Sequence, residues 1–145
     1  MTQLSRECII HAAADILQTY GLQDLSIRKV ASQLGVQPGA LYWHFPNKQA
    51  LLGAVCTHIL SCDLPTRDNS FPPLHVTTPH TWAQEIVTVA EDLRNRALFF
   101  RDGSELMSTS LASQTSPFPQ LDALTTILHT CLLYTSDAAD DSLRV

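Results

Sequence analysis

Tyr42, Trp43 and His44 stand side by side in a stretch that also carries Arg28, Lys29, Gln37 and Lys48 and, from Ser26 to Lys48, contains no Asp or Glu. These side chains offer a hydroxyl, an indole N–H, an imidazole, a primary amide and three fixed cations. Such a set suits phosphate oxygens and base edges. Cations, hydroxyls and ring N–H groups bond phosphate, and a Gln amide can pair in bidentate fashion with adenine. The alternative is a helical hairpin whose aromatics only fill a core. Neighbours on a helix lie about 100° apart, so three consecutive rings cannot all point inward.

The elements that must position these groups are legible around them. Ser26 is a good N-cap, and Ile27, Val30, Ala31 and Leu34 supply an apolar face, predicting a helix over about 27–34. Gly35 follows where a helix must stop and the backbone can turn to positive φ. Val36 plugs the corner, and Pro38 opens a second helix over about 38–44, since its missing N–H costs nothing in a first turn. Leu41 and Phe45, four apart, form its inner face, and small Ala31 lets the two helices approach. The geometry is helix-turn-helix, whose usual use is to lay the second helix in the major groove of DNA. A preceding helix is predicted over about 4–20, with Cys8, Ile9, Ala13, Ile16, Leu17 and Tyr20 inward and Gly21 closing it. A following helix opens at Asn47 and carries Leu51, Leu52, Val55 and Ile59 towards Leu60.

Residues 1–62 resemble the DNA-binding domain of the tetracycline-repressor (TetR) family of bacterial transcriptional regulators. The resemblance rests on Tyr20-Gly21, the run from Leu25 to Leu34, Gly35-Val36, Pro38 through Phe45, and Asn47-Lys48-Gln49-Ala50-Leu51-Leu52 in one register. Gln37 departs from it, standing where family members often carry a hydroxylated N-cap. Gln caps poorly, so its amide is expected to face a base. The DNA-binding set is then Arg28, Lys29, Gln37, Pro38, Gly39, Ala40, Tyr42, Trp43, His44 and Lys48. Of these, Gln37, Ala40, Tyr42 and His44 would read the groove, with Arg28 and Lys48 on phosphates. The resemblance implies an all-α cytoplasmic repressor that binds double-stranded operator DNA as a homodimer and is released by a small-molecule effector. It implies no cofactor.

Composition bounds the remainder. The 145 residues suit one domain, or a small head with an incomplete second lobe, and a 45% hydrophobic content is enough for a packed core. The net charge of −5 argues against a general nucleic-acid binder. It leaves room for a sequence-specific one, because screening over about 8–10 Å makes local charge decide. The expected division is a head at 1–62, a loop at 63–80, a partial regulatory lobe at 81–130 and a non-native tail at 131–145. The loop carries four prolines and no period. Thr81-Trp82-Ala83-Gln84 reads as a capping box opening a helix to about Phe99, and Asp102-Gly103-Ser104-Glu105 as a second, for a helix ending near Leu111. A break at 115–119 precedes another apolar face from Leu121.

The resemblance extends weakly into this lobe through Trp82 and the Phe100-Arg101-Asp102-Gly103 junction. Where tetracycline-binding members carry an Asn and a Phe, this chain has Val89 and Leu93; where they carry a metal-binding His and an Arg, it has Met107 and Leu111. Met and Leu cannot replace oxygen and nitrogen ligands, so tetracycline is not the expected effector. An apolar pocket of Trp82, Ile86, Val89, Leu93, Met107 and Leu111 is one reading of this lobe. Plain bundle packing is the other.

Cys8, Cys56, Cys62 and Cys131 match no zinc or redox spacing, and the six histidines are scattered, so no metal site is expected. No phosphate loop, metalloprotease motif or nucleophile elbow occurs, which argues against an enzyme. No signal peptide is recognised, and no apolar stretch approaches the roughly 18 residues of a membrane span. From Cys131 the chain turns to small and acidic residues midway through an apolar face. It resembles the translated end of a sequencing adapter there, with a natural acidic tail as the alternative. On the adapter reading, native sequence runs to about Thr130 and the family's dimer-forming helices are missing. A second function class stays open: a small helical ligand- or partner-binding protein without specific DNA readout.

Overall fold

The computed structural model describes residues 4–62, 64, 82–115 and 117–129, and every regular element among them is helical. Helix α1, Arg6–Tyr20, starts where the Ser5 hydroxyl accepts the Cys8 N–H at 3.1 Å and ends at Gly21. It buries Ile9, Ala13, Ile16 and Leu17. Tyr20, expected inward, is half exposed, and Cys8 is only partly buried. Leu22 and Leu25 close the core at that end instead, and the Tyr20 ring lies beneath the Lys29 ammonium.

Helix α2 has the expected bounds, Ile27–Leu34, with the Ser26 hydroxyl accepting the Lys29 N–H at 3.2 Å. Ile27, Val30 and Ala31 are buried, while Leu34 is only half-buried. Gly35 takes φ 66° and ψ 29°, the left-handed conformation that glycine enters without a Cβ penalty, and Val36 N–H returns to the Ala31 carbonyl. Helix α3 is short, Pro38–Tyr42; the N–H groups of His44 and Phe45 share the Leu41 carbonyl past its end, and Pro46 bars further helix. Gln37 makes no side-chain cap, so α3 opens on its proline.

Helix α4, Lys48–Ser61, is capped by Asn47, whose Oδ1 accepts the Ala50 N–H at 2.8 Å. Leu51, Leu52, Val55, Cys56, Ile59 and Leu60 are all buried, which requires cover on more than one side. α1 supplies one wall and helix α6, Gly103–Ala112, another. Helix α5 covers Trp82–Phe99, and residues 119–129 form a further helical run. Thr81, the expected loop apart from Leu64, and the expected tail lie outside the described residues.

Compactness groups the described residues up to 62 with 95–115, 117 and 118; residues 64, 82–94 and 119–129 make a second unit. Within the first unit α6 packs against α4 and buries Leu106 and Met107.

The neighbours Trp43 and Phe45 illustrate how this head is built: the first is 92% exposed and the second 1%. Phe45→Ala should cost about 3–5 kcal/mol of stability, and Trp43→Ala should stay within about 0.5 kcal/mol. Denaturant melts of the two variants check this. Equal losses would contradict the placement of the two rings.

Candidate nucleic-acid interface

α3 separates its residues by face. Leu41 and Phe45 are buried, while Tyr42 is 51% exposed and Gln37 and Gly39 are exposed beside it. Pro38, Ala40 and His44 are half-buried. The expected reading residues thus flank one short helix, with Trp43 projecting at its exit. Arg28 on α2 and Lys48 in the first turn of α4 are exposed cations. Lys29 differs. Its Nζ lies 3.3 Å from Asp24 Oδ1 and 3.8 Å from the Tyr20 ring centroid, so its charge is partly used within the head.

Sequence reasoning missed what holds the exit of α3. Arg6, in the first turn of α1, donates from Nη1 to the His44 carbonyl at 3.0 Å, and its guanidinium carbon lies 4.4 Å from the Phe45 ring centroid. The available signal was a cation at a helix N-terminus, where the dipole disfavours it.

It also misassigned Asp102. The residue stands at the N-cap position of α6 with φ 54° but makes no capping bond there. Its Oδ2 accepts the Leu22 N–H at 2.9 Å instead. The neighbouring Arg101 N–H donates to Gln18 Oε1 at 3.0 Å, and its Nη1 donates to the Thr19 carbonyl at 2.8 Å. The α5–α6 junction therefore grips the end of α1. Gly21 makes that grip possible: a Cβ there would lie 2.6 Å from the Asp102 carboxylate. Arg96 serves the end of α4 similarly, donating from Nη1 to the carbonyls of Ile59 at 2.9 Å and Cys62 at 2.7 Å.

Two of the scattered histidines meet. His11 on α1 and His58 on α4 pack edge to face with ring centroids 4.8 Å apart. Burial, and then the charge of His11, hold His58 below the ordinary imidazole value.

The residues expected around an effector fall in different surroundings. Met107 is buried in the first unit, Trp82 and Leu111 are about half exposed, and Ile86 and Leu93 are half-buried. Within the second unit an open groove of about 240 Å³ is lined by Thr88, Val89, Asp92, Pro119, Gln120 and Ala123. Val89 is the one expected residue in that lining. Gln120 Nε2 donates to Asp92 Oδ2 at 3.1 Å, so part of its floor is polar. Cys56 is buried and Cys8 and Cys62 are partly buried, and among the described residues no group of three or more His, Cys, Asp or Glu could hold a metal ion. No described helix is long and apolar enough to cross a membrane.

Two helices joined at a left-handed glycine, with a third supporting them and an exposed polar-aromatic face on the second, define a helix-turn-helix unit. Comparison with known proteins agrees. A family model described as bacterial regulatory proteins, tetR family, matches residues 9–55. The tetracycline repressor protein class A from transposon 1721 of Escherichia coli is 37% identical over 106 residues, 73% of this chain and 46% of the repressor. The crystal structure of Mycobacterium smegmatis BioQ superposes with a TM-score of 0.74 at 37% identity, covering 88% of this chain and 66% of that one. BioQ with its natural double-stranded DNA operator superposes with a TM-score of 0.72 at 38% identity, over 86% of this chain and 69% of that one. The chain belongs to the TetR family. It spans about half the length of the curated relatives it matches.

The lowered pKa of His58 ties head stability to pH. A lowered folded pKa means the unfolded chain takes up a proton first, so stability is full above about 6.5 and is lost as pH falls through the folded value. The melting temperature of the unaltered chain should drop as pH falls below about 6.5, and His58→Gln should lessen the drop. Parallel curves would place the acid sensitivity elsewhere.

Proposed function

We propose that this chain is the DNA-binding portion of a one-component transcriptional repressor. α3 enters the major groove of a double-stranded operator, and a small molecule bound in the second lobe releases the protein. The observation that carries this reading is the exposure of Tyr42 and Trp43, at the end of α3 and just past it, in a segment whose Leu41 and Phe45 are buried. Two adjacent aromatic rings left in solvent, with exposed Gln37, Arg28 and Lys48 in the same motif, suit contact with sugar, phosphate and base edges. Gln37, Ala40, Tyr42 and His44 read base edges; Arg28 and Lys48 bind phosphates. Lys48 gains from its place in the first turn of α4, where unpaired N–H groups and the helix dipole add positive potential. Pro38 and Gly39 bring backbone close to the sugar-phosphate chain, and Trp43 packs on it. Lys29 contributes less, since Asp24 already opposes its charge.

The likeness to BioQ, which was crystallised with its operator, supports the same role for this head. The full-length protein acts in the cytoplasm as a homodimer whose two heads meet half-sites about one DNA turn, roughly 34–36 Å, apart. Residues 1–62 are the DNA-binding domain and 81–130 part of the regulatory lobe. The effector is apolar or planar rather than a magnesium–tetracycline complex, because Val89 and Leu93 of the second unit offer no ligand for the metal.

Binding isotherms over a range of salt test the DNA reading. Lys48→Ala should weaken binding to all sequences alike and flatten the salt slope by about one unit. Gln37→Ala should shift preference at one base pair, by about 1–3 kcal/mol. An unchanged preference would remove Gln37 from base readout, and binding indifferent to salt would remove DNA as the partner. Adding tetracycline with magnesium should leave a preformed complex intact in an anisotropy titration; release would overturn the effector assignment.

A further inference from the structure

We propose that Arg6 is a positioning residue for base readout. From α1 it fixes the exit of α3, and with it the angle at which Tyr42, Trp43 and His44 meet the groove, without touching DNA itself. The inference rests on the DNA-binding reading above.

Arg6 is poorly placed for its own helix. It occupies the first position of α1, at the positive end of the dipole, where a carboxylate would be favoured. It is well placed for another. The His44 carbonyl lies beyond the last residue of α3, at an end where a cation and an added donor are favoured. Arg6 Nη1 reaches that carbonyl at 3.0 Å.

The second contact fixes the first. The guanidinium carbon stands 4.4 Å from the centroid of Phe45, the buried ring that anchors α3 in the core. Arginine alone can lay a flat cation on a ring and donate from its edge at the same time; lysine is a point charge on a flexible stem. One side chain thereby ties the outermost carbonyl of the reading segment to its innermost ring. Trp43, the most exposed of the large apolar side chains among the described residues, lies immediately before that carbonyl. With five residues, α3 is too short to hold this geometry by its own hydrogen bonds.

The test selects duplexes from a randomised DNA pool with the full chain, then measures affinity for the preferred duplex across salt. Arg6→Ala and Arg6→Lys should both keep the unaltered salt slope and bind that duplex about five- to tenfold more weakly, the order of one solvent-exposed hydrogen bond. Both should also accept base pairs that the unsubstituted chain rejects. A slope flattened by about one unit in Arg6→Ala would make Arg6 a phosphate contact and overturn the proposal. So would unchanged affinity and base preference in Arg6→Ala, or wild-type behaviour in Arg6→Lys. If Arg6→Ala fails to fold, Arg6→Lys decides alone. Failure of the DNA reading itself is distinguishable, because it appears in the unsubstituted chain, which would then select no sequence. The proposal would fall with it.

Discussion

The burial of Phe45 and Leu41 is the interaction on which the rest of the head depends. α3 has five residues, and isolated helices shorter than about 12–15 residues are marginal in water. Its conformation is therefore imposed from outside. Two apolar side chains hold the inner face, the left-handed turn at Gly35 sets the entry, and Arg6 meets the exit. The outer face is left free for residues chosen for contact rather than packing. That division explains how Trp43 remains in solvent two positions from a fully buried ring.

α4 is the wall against which this arrangement is built. Its nearly continuous apolar surface is shared between α1 and α6. The same unit is also tied by polar groups at helix ends, where backbone N–H and carbonyl groups lack helical partners. Asp102 takes the Leu22 N–H, Arg101 the Thr19 carbonyl, and Arg96 the carbonyls that close α4. All are long-range bonds that pin two segments; those from the arginines also satisfy carbonyls at helix ends, while Asp102 takes the N–H of the turn that follows α1. The backbone of Asp102 lies in the left-handed region, a conformation Asp tolerates better than most residues, and the bond to Leu22 holds it there.

Much of the head was legible in the sequence because its signals are local. Ser26, Gly35, Pro38 and Asn47 each act within a few residues of themselves, and each does in the structure what its chemistry predicts. The separation of Phe45 from Trp43 followed from helical spacing alone. The errors arose where a side chain acts far from its own position. Asp102 has the spacing of a capping box yet bonds a residue 80 positions away. Tyr20 has the spacing of a core residue, but Leu22 and Leu25 fill the space first. Arg6 and the His11–His58 pair are invisible to any periodicity, since their partners lie on other helices. The second lobe was least legible because its apolar residues can equally pack a bundle or line a pocket, and composition does not separate those uses.

Amide chemical-shift mapping of the chain during titration with duplex DNA tests the central claim most directly. If α3 is the reading helix, the largest changes fall on Gly39 through His44, with smaller ones at Arg28 and Lys48 and little change along the buried face of α1. Changes centred on any other helix, or none at duplex concentrations that saturate binding, would contradict the account.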